Sequence, residues 1–333
     1  MTLRTSLVIL LFILTLGFTP ANATTVFKIA TLAPEGAFEV VQMQAAAIDI
    51  AKATDGRVKF KFFTGGVMGN DQGVLRKIRI NQLQGGALSS GSLSTYYPDS
   101  QVYSLPFVFR SFDEVDYVRK QMDDSLIKGY EDVGFIVFGL AEGGFARIMS
   151  NTPILTVADL QQRKVWIPEN DAAALEAVKA FDVSPITLSV ADVRTALQTG
   201  LLDTVAIPPS YAILLHWHTQ VRYITEIPLI YTNGLLAIEK RAFSKLSPPD
   251  GQIVKSRMAE AFTQIDRHNR NQNIEAVEVL KEMGLTFVVP DANAHDTWLQ
   301  RSLIVPQSLV DKGVLSRQIV DTLNLHLSTF RSR

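Results

Sequence analysis

The chain has 333 residues, 32 basic and 33 acidic side chains, a formal net charge of −1 and no cysteine. Disulfides, thiolate metal sites and cysteine nucleophiles are excluded. With no block of like charge, neither nucleic acid nor an acidic membrane surface is implied as a partner. At 47% hydrophobic residues the chain is globular, and its length suggests two domains.

Arg4 precedes an apolar run from Leu7 to Phe18, and Ala21-Asn22-Ala23 is a small-x-small cleavage pattern. In that order they read as a secretory signal peptide over residues 1–23, which places the mature chain in the bacterial periplasm. A membrane anchor is disfavoured, because the run falls short of the roughly 20 apolar residues that cross a bilayer.

Strand and helix then alternate. Val26–Ala30 reads as a strand and Pro34–Thr54 as a helix with Phe38, Val41, Ala45 and Ile48 on one stripe. Val58, Phe60 and Phe62 alternate with Lys59 and Lys61, the pattern of a half-buried strand. A loop through Gly65-Gly66 and Gly69-Asn70 leads to a helix over Asp71–Gln82 and a short strand over Gln84–Ser89. Further on, Phe135–Leu140 and Phe145–Met149 read as two strands, Thr156–Leu160 as a helical turn and Lys164–Ile167 as a strand halted by Pro168. Asp171–Phe181 reads as a helix, and Ser189 caps another that ends at Gly200. Leu201–Ile207 is a strand stopped by Pro208-Pro209, and Pro248-Pro249 opens an unusually long helix to about Met283. This alternation predicts parallel sheet covered by helices in two α/β lobes. Such sheets bind ligands at the carboxyl ends of their strands, so facing lobes make a cleft that closes by hinge motion.

Catalytic signals are lacking. There is no Gly-x-Ser-x-Gly elbow, Walker loop or His-Glu-x-x-His, and Gly65-Gly66-x-x-Gly69 lacks a phosphate-loop Lys. Of the five histidines, His216 and His218 would share a face on a strand, but no third ligand is spaced to complete a metal site. No enzymatic activity, metal or cofactor is expected.

Four stretches, in order, resemble the substrate-binding proteins of tripartite ATP-independent periplasmic (TRAP) transporters: Phe63–Asp71, Tyr97–Phe109, Ser150–Pro168 and Ala196–Asp203. The resemblance implies two α/β domains bridged by strands and by the long helix from Pro248. It also implies delivery of a solute to the TRAP membrane permease subunits. With crossovers near Gly143-Gly144 and Tyr231–Asn233, lobe I is expected over 24–144 plus 231–272 and lobe II over 145–230 plus 273–333.

The sequence departs from the family at several pocket positions. Where the family carries an Arg whose fork grips a substrate carboxylate, this chain has Trp166, and polar residues after the strand Asp are replaced by Val205, Ala206 and Ile207. The candidate ligand-binding set is Ala33, Ser89, Phe145, Arg147, Trp166, Glu169, Val205 and Ile207. It predicts an apolar or amphipathic ligand. The alternatives are a small organic acid held by a clamp relocated to Arg147 or Lys164, and a periplasmic carrier of lipid-like cargo that serves no permease. Loss of the Arg also resembles a subgroup associated with a periplasmic partner built of tetratricopeptide repeats.

Overall fold

The structure, a computed structural model, describes residues 24–333. The signal peptide read from residues 1–23 lies outside the described residues. Among the described residues no helix is long and apolar enough to cross a membrane.

The first half is βαβ. Strands β1 (Thr25–Thr31), β2 (Val58–Phe63) and β3 (Gly85–Ser89) are joined by helices α1 (Phe38–Ala53) and α2 (Asp71–Arg79). β1 pairs in parallel with both β2 and β3. Asn70 caps α2 by accepting the Gly73 N–H at 2.9 Å, and basic residues fill its last turn, both favourable to the helix dipole. After α3 (Phe112–Asp132) comes β4 (Phe135–Ser150), one strand of 16 residues. The sequence had suggested two strands broken at Gly143-Gly144. The strand continues because Gly144 takes φ +95°, a left-handed conformation that costs glycine little, and absorbs a register shift between Glu142 and Gly144.

The second half has α4 (Val157–Gln161), β5 (Trp166–Pro168), α5 (Ala172–Ala180), β6 (Ile186–Leu188), α6 (Val190–Gln198), β7 (Thr204–Ile207), α7 (Pro209–Leu214) and β8 (Tyr223–Thr225). The chain returns through β9 (Ile230–Glu239) and α8 (Lys240–Phe243), then α9 (Pro248–Glu282), β10 (Thr286–Val288), α10 (Ala292–Ser302), α11 (Val305–Asp311) and α12 (Arg317–Arg331). Eight strands form one hydrogen-bonded path, β10-β8-β4-β9-β3-β1-β2 with β7 also on β4, while β5 and β6 pair separately. The path is continuous because β4 belongs to both halves. It is antiparallel to β9 from Phe135 to Ala146 and to β7 from Arg147 to Ser150.

Where β4 and β9 run together they are buried on both faces, and period-two alternation sends their side chains to separate cores. Ile136, Phe138, Leu236 and Ile238 enter the core under α1 and α9. Val137, Leu140, Leu235 and Ala237 enter the core with α2, α3 and α12. The second half has its own cores around Trp217 and Trp298. The tail read from sequence with lobe II divides: Trp298 of α10 packs in the second half, but α12 packs on α3, with Ser316 donating to Asp99 and Arg331 to Glu114.

Helix α9 is the 35-residue element expected from Pro248-Pro249, with Ser247 as its cap. At 1.5 Å per residue it is about 50 Å long. Val254, Met258, Phe262 and Ile265 repeat at helical spacing into the first-half core, while Leu280 reaches the second-half core. Midway, Asn273 donates from Nδ2 to the Gly143 carbonyl at 2.8 Å and accepts the Ser210 hydroxyl at 2.7 Å, tying α9, β4 and α7 together.

Candidate ligand cleft

A cavity of about 360 Å³ lies between the two halves, within the range of small-molecule sites. Thr31 and Ser89, at the carboxyl ends of β1 and β3, form one wall with Ala33. β5 and β7 supply the opposite wall through Trp166, Ile167, Val205 and Ile207. Phe262 and Ile265 of α9 close one side. The strand-end placement is the one open α/β sheets favour.

Six of the eight residues singled out from sequence line this cavity: Ala33, Ser89, Trp166, Glu169, Val205 and Ile207. Arg147 and Phe145 do not. Phe145 packs in the first-half core against Phe112 and Tyr231. Arg147 lies 3.9 Å from Glu226, and burial lowers its pKa while the Glu226 charge opposes that shift. Lys164 donates from Nζ to the Gly200 carbonyl at 2.8 Å and is also off the cavity wall. Neither relocated clamp enters the cleft.

Trp166 is more a core residue than a free pocket wall. It is 6% exposed, stands edge-on against Trp217 at 5.2 Å, and donates its indole N–H to the Leu188 carbonyl at 2.9 Å. Its N–H is therefore committed to β6 and only its apolar surface borders the cavity. His216 and His218 do not lie on a strand: His216 takes φ +57° in the turn after α7, with the two rings 6.2 Å apart.

The charge of the wall is one-sided. Glu39, Asp71, Glu169 and Asp171 line the cavity, and no described lining residue is Lys, Arg or His. Burial pushes the Asp71 carboxyl above its usual range, opposed by hydrogen bonds from the Ser92 hydroxyl and from the N–H and hydroxyl of Ser89. Burial likewise raises Asp171, which accepts the Ala174 N–H at 2.8 Å as the cap of α5 and the Gln101 amide at 2.5 Å. Glu39, in the first turn of α1, is raised by burial against its own backbone N–H and the nearby His268. Glu169 accepts the Asn70 amide at 3.4 Å across the cleft mouth. Asp71 was visible in sequence as the acid ending the Gly-rich motif. Nothing local marked Glu39, Asp171 or Asn233 as cavity residues.

Two halves sharing their longest strands and a spanning helix, around a cavity at the strand ends, define a two-lobed solute-binding protein. The family model for bacterial extracellular solute-binding protein family 7, DctP, matches residues 30–308, and the chain belongs to this family, the solute-binding proteins of TRAP transporters. Among curated relatives, the 2,3-diketo-L-gulonate-binding periplasmic protein YiaO of Escherichia coli is 24% identical over 244 residues, covering 72% of this chain and 73% of that one. The C4-dicarboxylate-binding periplasmic protein DctP of Shewanella loihica is 23% identical over 279 residues, covering 79% and 81%. Among solved structures, a TRAP periplasmic solute-binding protein of Haemophilus influenzae with bound L-gulonate superposes with TM-score 0.83 at 18% identity, covering 91% of this chain and 100% of that one. One from Sulfitobacter with bound β-D-galacturonate gives 0.82 at 20% identity, covering 91% and 100%. At these identities the structures are similar in fold alone.

Proposed function

We propose that this chain is a periplasmic receptor, without covalent chemistry of its own, that closes on a solute between its lobes and delivers it to a TRAP-type permease. We propose further that the solute is amphipathic, with an apolar body and no carboxylate in the cavity. The observation carrying the second step is the wall itself: Trp166, Val205, Ile207, Phe262 and Ile265 on the apolar side, and four carboxylates with no described basic residue on the polar side. An apolar ligand surface gains about 25 cal/mol per Å² buried there. A ligand carboxylate would meet like charge and no donor fork, and its desolvation would go uncompensated. The hinge would lie where β4 and β9 cross between halves, at Gly143-Gly144 and Tyr231–Asn233, with lobes divided as the sequence suggests apart from α12.

The relatives favour a second reading. YiaO and the Shewanella protein are named for organic acids, and the Haemophilus and Sulfitobacter structures hold sugar acids. A receptor for a small organic acid is therefore the competing function, and its weakness here is the lack of a described cation on the cavity wall. A lipid-like carrier without a permease has no observation in its favour. The tetratricopeptide-repeat partner rests on sequence resemblance alone, and size exclusion after co-expression tests it.

Native mass spectrometry of protein purified without refolding decides between the two ligand classes. An apolar-bodied molecule should co-purify. A co-purified sugar acid or dicarboxylate, or tight calorimetric binding of D-galacturonate or succinate, would refute the amphipathic reading.

A further inference from the structure

This inference rests on the amphipathic reading and specifies the polar end of the ligand. A short helical turn over Ser90–Leu93 touches three parts of the cavity. Ser92 and the preceding Ser89 donate to Asp71. Ser90 donates from its hydroxyl to the Asn233 carbonyl at 3.1 Å. At Gly91 a Cβ would stand 3.3 Å from Asp171 Oδ2, so the turn runs directly against that carboxylate. Asp71, Asp171 and Asn233 are thus held around one turn, although they lie in α2, before α5 and in β9.

What they hold beside the cavity is acceptor. Asn233 is 6% exposed and lines the cavity, yet its Oδ1 has no hydrogen-bond partner among the described residues. Gln101 is 1% exposed, spends its amide nitrogen on Asp171, and leaves its own Oε1 equally unpartnered. A buried polar atom without a partner is costly, so a side chain kept in that state beside a cavity points to a ligand group that satisfies it. The carboxylates add charge to the same preference. Asp71 is met only by hydroxyls and a backbone N–H, and Asp171 only by a backbone N–H and an amide. Neither meets a cationic side chain among the described residues lining the cavity.

We propose that the polar end of the cleft, formed by Asp71, Asp171 and Asn233, recognises a protonated amine on an apolar-bodied ligand. An ammonium group has three donors and no acceptor. It supplies both what Asn233 Oδ1 lacks and the charge the two carboxylates lack. A carboxylate or sulfonate head supplies neither.

Titration calorimetry with three compounds of equal chain length, 1-octylamine, 1-octanol and octanoate, tests the head group with the apolar body held constant. Octylamine should bind at least tenfold more tightly than octanoate, with octanol between them. Asp171→Asn keeps a residue that can cap α5 and should cost octylamine at least tenfold while leaving octanol within about twofold, since a charge-assisted hydrogen bond is worth more than tenfold. Asn233→Leu should narrow the gap between octylamine and octanol. Octanoate binding as tightly as octylamine, no measurable octylamine binding, or an Asp171→Asn protein indifferent to the ammonium group would each overturn the proposal. If all three compounds bind alike, the amphipathic reading survives and only the head group falls. If D-galacturonate binds and none of the three does, both fall.

Discussion

Buried acids occur in two neighbouring regions of this molecule, and the fold treats them in opposite ways. At the crossing of β4, Glu142 is 1% exposed and meets Arg270 Nε at 2.7 Å, while Arg270 also reaches Asp116. Beside it Arg119 contacts Asp266 at 2.8 Å and Asp123 at 3.0 Å, and donates to the Leu140 carbonyl at 2.7 Å. There each carboxylate has a guanidinium. In the cleft Asp71 and Asp171 have hydroxyls, amides and N–H groups, but no cation among the described residues lining the cavity. Burial raises Glu142 as it raises Asp71 and Asp171, but only at Glu142 is Arg270 the chief opposing influence. Paired acids fix the geometry of the crossing. Unpaired acids leave room for a charge from outside.

The comparison breaks most readily at the crossing. Arg270→Ala removes the guanidinium that bonds a carboxylate only 1% exposed, a loss of about 3 kcal/mol in denaturant unfolding. A loss within about 0.5 kcal/mol would mean that Glu142 is neutral there and that the contrast between the regions is false. Gly144→Ala comes next. The residue sits at φ +95°, and a Cβ would fall 2.5 Å from Asn273 Nδ2. Left-handed strain together with displacement of Asn273 should cost about 2 kcal/mol, and scattering should record a changed lobe arrangement. An unchanged unfolding midpoint would show that the Asn273 tie does not hold the crossing.

Asp171→Asn tests the other side of the contrast and has the opposite sign. Burial raises the folded-state pKa above the unfolded one, so the folded chain holds its proton more firmly. That contribution is fully present below the unfolded pKa and is lost as pH rises through the folded pKa. Above the unfolded pKa a carboxyl raised by burial destabilises the fold, and Asn removes that penalty while keeping the α5 cap. The variant should therefore be more stable than the parent at pH 7, with the advantage shrinking as pH falls toward 4. A variant less stable at neutral pH would mean that the bonds from Gln101 and Ala174 outweigh the cost of burying the carboxylate.

Much of the architecture was legible because it depends on local pattern. Pro248-Pro249 announced α9, alternating strand and helix announced the lobes, and four motifs in order announced the family. The continuity of β4 was not legible, because Gly143-Gly144 reads as a break and only the partner strand β9 shows that Gly144 is a bulge. That bulge also shifts the register of β4 against β9, and beyond it Phe145 packs in the first-half core while Arg147 lies beside Glu226. Glu169 was in the candidate set and Asp71 closed a motif, but the bonding of the cleft acids was hidden for a different reason. Their partners are distant in sequence, Ser92 for Asp71 and Gln101 for Asp171, and no window of sequence contains both.

The smallest expected effect belongs to Arg147→Ala, and it is the most direct test of the competing organic-acid reading. Arg147 stands opposite Ile207 on paired strands, so a different local twist could have brought its guanidinium to the cavity. Instead it lies 3.9 Å from Glu226, with side chains 26% and 34% exposed. At that separation and exposure the pair is worth at most about 1 kcal/mol, and removing it should change stability by no more than that. Ligand affinity should not change, because no contact to the cavity is lost. Calorimetry of the Ala variant against the parent, using octylamine and D-galacturonate as separate titrants, measures this. If the parent binds D-galacturonate and the variant loses it by tenfold or more, Arg147 must swing into the cleft when the lobes close. The acid would then have its counter-ion after all, supplied by motion, and the distinction between paired and unpaired acids would hold only for the ligand-free arrangement.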